Sequence, residues 1–246
     1  MDAPGQSLGS EHVPRPWSLS DFFFVILGGF LGAALFVAAS ELAGGDEISL
    51  VLALTGQYLG HLLVFWWLSR RKQHPDLGFA IEGRDLGYIG LGLILQLTLA
   101  ILFLPLSSLL LPEGEAAQQV GSAIAGLETT SARVAAMVTA VVLAPVTEEL
   151  IFRGILLKTL EARGRRTIMV VTSLVFAAFH LLGLQPNRIL QAAAVVLPQL
   201  FVVGLVLAWV TLRSKRLGPA IFIHSGFNLL AAIVLLLPPE MLESLG

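Results

Sequence analysis

Seven nearly unbroken apolar runs, each close to the length needed to cross a bilayer, leave this chain few ways to fold. They cover approximately Phe22 to Ser40, Ile48 to Leu68, Tyr88 to Leu111, Ala132 to Leu157, Thr167 to Leu184, Leu190 to Leu212 and Pro219 to Leu237. A helix rises about 1.5 Å per residue and so needs about 20 residues to span about 30 Å of hydrocarbon. Within lipid the backbone must satisfy its own polar groups, which leaves helices and closed barrels. Barrel strands would read as alternating segments of about ten residues, whereas these runs are continuous and rich in Leu, Ala, Val and Gly. The sequence therefore predicts an all-α, polytopic transmembrane helical bundle of about seven spans. Composition agrees, with 56% hydrophobic residues, 13% charged residues and a mean hydropathy of +0.83.

Charge distribution predicts orientation. With the N-terminus cytoplasmic, the inner side carries Arg15, then Arg70, Arg71, Lys72 and Arg84, then Arg153, Lys158, Arg163, Arg165 and Arg166, then Arg213, Lys215 and Arg216. The outer side carries only Arg133 and Arg188. Such asymmetry predicts the N-terminus in and the C-terminus out. Residues 1–21 read as a cytoplasmic tail, and residues 22–246 as a single membrane-embedded domain. Residues 112–131, with Glu113, Glu115 and Glu128, read as an outer loop. Gly28 and Gly32, Gly56 and Gly60, and Gly204 with Ala208 have the small-x-x-x-small spacing that lets helix backbones approach. There is no cysteine, so no disulfide, thiolate metal site or cysteine nucleophile is available. Nothing in the charge pattern points to nucleic acid; the expected surroundings are the lipid bilayer.

Three fragments place polar chemistry inside these runs: Glu148-Glu149-Leu150-Ile151-Phe152-Arg153, Phe176-Ala177-Ala178-Phe179-His180 and His224-Ser225-Gly226-Phe227-Asn228. Ionisable groups at membrane depth are expensive, so their convergence predicts a functional site. Taking Gly164 as the centre of the turn between the fourth and fifth runs, Glu148 and His180 lie equally far along their helices, about 24 Å from it. An antiparallel hairpin brings them to one depth. Glu149 and Arg153, four apart with the acid first, suit an intrahelical ion pair, and Glu148 points about 100° away from that pair. Glu148 is thus the candidate reactive carboxylate facing a cavity. Pro145 cannot donate its backbone hydrogen bond, so the helix should loosen just before the site. His224 and Asn228 share a face, and their donors suit an oxyanion. Glu148 activating water, with His180 positioning it or passing on its proton, suffices in principle for peptide hydrolysis. The bland readings are helix-bridging hydrogen bonds for the His and Asn side chains, and packing for Phe176.

Other candidates are weaker. Gln57 and His61, one turn apart in the second run, are a secondary candidate for the same cavity. His12 and His74 sit in polar segments. Ser225 adjoins His224, but Ile223 occupies the glycine position of a rhomboid-type Gly-x-Ser-Gly. No His-Glu-x-x-His is present, and Gly44-Gly45-Asp46 lacks a second intramembrane Asp. A proton-coupled transporter using the carboxylates as a relay would fit an inverted repeat, which the sequence does not show.

In this order, Glu-Glu-x-x-x-Arg, Phe-x-x-x-His and His-x-x-x-Asn resemble the signature motifs of the CPBP family, the CAAX proteases and bacteriocin-processing enzymes also called Abi. Ala144-Pro145, Phe152-Arg153-Gly154 and Gly218-Pro219-Ala220 resemble its flanking text, so the likeness spans residues 144–230. The resemblance implies an intramembrane endopeptidase acting on a membrane-associated, CAAX-like or other peptide substrate, which in some members is lipidated. It implies Glu148 as catalytic acid with His180 as partner, and His224 and Asn228 stabilising the oxyanion. Glu149, Arg153 and Phe176 are supporting residues. The family usually shows eight spans, so an eighth is allowed for here. The expected mechanism is metal-free, with a zinc site on Glu148, His180 and His224 as the alternative. The active site is expected in the membrane toward the cytoplasmic half. The competing reading of the same fold is a catalytically silent scaffold or immunity protein.

Overall fold

The computed structural model describes residues 16–42, 47–73, 76–111, 117–118, 121, 124 and 126–236. Arg15, His12, His74, Gly44-Gly45-Asp46, Glu113 and Glu115 lie outside the described residues. Along the described chain run the long helices α1 (Leu19–Leu42), α2 (Glu47–Arg71), α3 (Tyr88–Leu110), α4 (Thr130–Thr159), α5 (Arg165–Phe179), α6 (Ile189–Ser214) and α7 (Gly218–Leu236). The first six are apolar and long enough to cross a membrane, α5 once its continuation to Gly183 is included, and α7 contributes a shorter apolar stretch, Gly218–Val234. The molecule is an all-α bundle and a multi-pass membrane protein. Helix limits fall within a few residues of the apolar runs. The largest departure is in α5, which stops at Phe179 and continues as a 3-10 turn, His180–Gly183.

Large apolar side chains face outward, among them Leu35, Leu102 and Leu109, as lipid-facing helices require. Because lipid offers no hydrophobic drive for helix association, close backbone packing must supply it. The small residues do this. A β-carbon on Gly32 would strike the Gly56 carbonyl, and one on Gly60 would strike the Gly28 carbonyl, so α1 and α2 pack backbone to backbone. Gly92 of α3 meets the Ile223 carbonyl of α7 in the same way. Gly204 of α6 lies against Ser173 of α5.

Helix α4 runs through the centre, and every residue from Leu150 through Leu157 is buried. It is not a regular α-helix. Two stretches, Thr139–Leu143 and Leu150–Leu156, widen to π-helical hydrogen bonding on either side of Ala144–Glu149. The first adjoins Pro145, whose ring and missing N–H forbid a normal turn there.

One end of the bundle is basic. The turns at Lys158–Arg166 and Ser214–Leu217 lie at this end, and the second meets the segment after α2, where the Leu217 amide donates to the Gly78 carbonyl at 2.8 Å. Arg216 donates to Asp85 at 2.9 and 3.1 Å, tying the α6–α7 turn to the 3-10 turn before α3. The Asp85 hydrogen bonds raise the Arg216 guanidinium above its ordinary range. At this end guanidinium groups stack on exposed indoles: Arg71 on Trp67 at 4.1 Å, Arg70 on Trp66 at 5.0 Å and Arg213 on Trp209 at 5.8 Å. That is the pattern of an interfacial belt.

Candidate active site

Glu148, His180, His224 and Asn228 line a single cavity of about 770 Å³. Its walls come from α1 through α7, and most of its lining is apolar. The cavity extends from Glu148 toward the end of the bundle that carries Leu111, Gln118 and Gly183, away from the basic end.

The paired acids divide as their spacing predicts. Glu149 and Arg153 are fully buried, with Arg153 Nη1 donating to Glu149 Oε1 at 3.1 Å. Arg153 Nη2 donates to the Gly204 carbonyl at 3.2 Å, which fastens the pair to α6. Glu148 turns instead into the cavity and keeps 9% of its surface exposed. Its Oε2 makes no hydrogen bond within the protein.

Glu149 does more than its spacing foretold. Its Oε1 also accepts from His224 Nδ1 at 2.9 Å. That bond commits the Nδ1 proton and turns His224 Nε2 toward Glu148, whose Oε2 lies 3.8 Å away. In this tautomer Nε2 donates only when the ring is an imidazolium. The buried ion pair thus reaches the reactive layer through the imidazole.

Asn228 Nδ2 donates to the Ala140 carbonyl at 2.8 Å. The reason lies in Pro145. Within the first π-helical stretch the Ala144 amide bonds back five residues to Thr139. The next bond in that register would run from residue 145 to Ala140, but proline has no N–H to give. Asn228 fills the acceptor that Pro145 leaves open, and its second N–H and its Oδ1 remain. The loosening expected at Pro145 is present, and it orients a site residue.

His180 Nδ1 donates to the Phe176 carbonyl at 2.9 Å, leaving Nε2 as an acceptor. Phe176 is wholly buried and packs as a hub: its ring centre lies 4.9 Å from the His180 ring, 5.7 Å from the His224 ring and 4.4 Å from the Arg153 guanidinium. It holds both imidazoles against one surface.

Of the secondary candidates, Gln57 lines the cavity and His61 does not. His61 Nδ1 lies 2.7 Å from the Val25 carbonyl, and the ring fills the space over Gly29, so this histidine bridges α2 to α1. Sequence reasoning passed over Tyr58, whose hydroxyl donates to Glu148 Oε1 at 3.4 Å. Its one sequence signal is position, next to Gln57 in a membrane helix. Gln96 and Gln199 were also passed over, and both line the cavity. The donors named for a zinc site, Glu148, His180 and His224, do not gather into a metal-holding group among the described residues.

Residues 130–230 match the family model described as type II CAAX prenyl endopeptidase Rce1-like. No curated protein matches the chain, and no solved structure does. The matched segment contains all three polar motifs and the flanking Ala144-Pro145 and Gly218-Pro219-Ala220. Over this segment the chain is similar to the CPBP family, the group of CAAX-type intramembrane proteases.

Proposed function

We propose that this protein is an intramembrane endopeptidase in which Glu148 activates water for attack on a peptide bond. The observation that carries the reading is the meeting of Glu148 from α4, His180 from the turn after α5, and His224 and Asn228 from α7 on one cavity, all four within the matched segment. A water held at the Glu148 carboxylate gives it a proton as the water oxygen attacks the substrate carbonyl carbon. The resulting oxyanion accepts from the second N–H of Asn228 and from His224 Nε2–H in the imidazolium form. The C–N bond then breaks, and the leaving amine takes the proton from Glu148. His180 Nε2, freed as an acceptor, orients the water. These groups carry the proposed chemistry without a metal.

The substrate is a peptide or membrane-associated protein. The cavity volume is within the range of about 300–1,000 Å³ typical of ligand sites, and its apolar walls suit a lipidated segment. The basic end with its Arg–Trp stacks supports the N-terminus in and the C-terminus out. In that orientation the cavity opens away from the cytoplasmic face, so its direction does not support the expected lean of the site toward the cytoplasmic half.

The test is cleavage of an internally quenched peptide ending in a prenylated Cys-aliphatic-aliphatic-X sequence, alongside comparison of membrane-protein termini in cells. Glu148→Gln should abolish cleavage while leaving the thermal unfolding of the purified bundle nearly unchanged. Full activity in that variant would remove Glu148 from the mechanism.

A further inference from the structure

We infer that Tyr58 is a positioning residue for the reaction: its hydroxyl holds the Glu148 carboxylate in one orientation at the cavity wall. The inference rests on the proposed role of Glu148. Among the described residues, Tyr58 supplies the hydrogen bond that the Glu148 side chain accepts, at Oε1, while Oε2 is buried with no hydrogen-bond partner within the protein. A carboxylate free to rotate about its last bond would present either oxygen. One anchored oxygen removes that freedom, and preorganisation of this kind acts on the barrier more than on substrate affinity. The Oη–Oε1 distance of 3.4 Å is long, as catalytic hydrogen bonds in unliganded sites often are.

The geometry around Tyr58 gives it a fixed base. His61, one turn along α2, is buried against α1 with Nδ1 2.7 Å from the Val25 carbonyl. A β-carbon at Gly29 would overlap the His61 ring, so glycine is needed there for the histidine to seat. The backbone contacts of Gly32 with Gly56 and of Gly60 with Gly28 hold the same pair of helices in register. Helix α2 therefore cannot slide relative to α1, and Tyr58 is delivered to the cavity wall at the depth of Glu148. This assigns a role in the site to α2, which lies outside the matched segment, and it gives the buried His61 a purpose that its own chemistry does not supply.

Tyr58→Phe keeps the ring and removes only the hydroxyl, so packing is preserved and the melting temperature of the purified protein checks that. Two measurements follow. With the prenylated peptide, kcat should fall about tenfold at nearly unchanged KM, the scale of one hydrogen bond to a charged group. Independently of any substrate, the infrared difference between wild type and Glu148→Gln isolates the carboxyl bands of Glu148, and Tyr58→Phe should displace those bands. An unmoved band overturns the contact whatever the kinetics. A displaced band with unchanged kcat overturns the positioning role. If Glu148→Gln retains cleavage, the proposed role of Glu148 fails while the infrared result still reports on the Tyr58 contact, so the two failures are told apart.

Discussion

At the residue scale, the adjacent acids Glu148 and Glu149 have opposite fates because one helical step separates a cavity from a packed core. Glu149 is fully buried and shared between Arg153 and His224. Removing its charge strands a buried guanidinium, and breaking such a pair costs about 3–5 kcal/mol. Glu149→Gln is therefore expected to lower the unfolding temperature in detergent markedly and to reduce activity, since the bond that sets the His224 tautomer loses its charge. Glu148→Gln should separate cleanly from it by losing activity alone. Equal melting curves for the two variants would refute this division. The motif spacing showed which acid pairs with Arg153. It did not show the His224 bond, because that contact joins positions 75 residues apart and depends on how α7 docks against α4.

At the element scale, α4 is shaped by a single imino acid. The π-helical stretch before Pro145 leaves the Ala140 carbonyl without a backbone donor, and Asn228 supplies one from α7. Pro145→Ala restores an N–H that competes for that carbonyl. The expected outcome is a melting temperature equal to or above wild type together with a roughly tenfold lower kcat, since a small displacement of a positioned group is costly to rate. A variant with unchanged kcat would show that Asn228 does not depend on this acceptor. That Pro145 would disturb the helix was legible in the sequence. The direction in which the freed carbonyl points was not, because it follows from the hydrogen-bond register that the helix adopts.

On the scale of the whole molecule, cations and indoles gather at one end while the cavity extends toward the other. Since the chain has no cysteine, single cysteines report accessibility without background. Arg163→Cys, in the exposed α4–α5 turn, should resist a membrane-impermeant maleimide applied from outside intact cells. Asn187→Cys, in the exposed turn before α6, should react. The reverse pattern would invert the proposed orientation.

The sequence by itself determined the helical architecture, because uninterrupted apolar runs in lipid have no other way to satisfy their backbone. It also determined which three runs carry chemistry, since ionisable groups at that depth persist only where something compensates them. The tertiary structure alone decided the partners: Tyr58 on Glu148, His224 on Glu149, Asn228 on Ala140. These bonds span helices, and their geometry is set by backbone approach at glycine contacts and by the altered winding of α4, neither of which leaves a periodic signal along the chain.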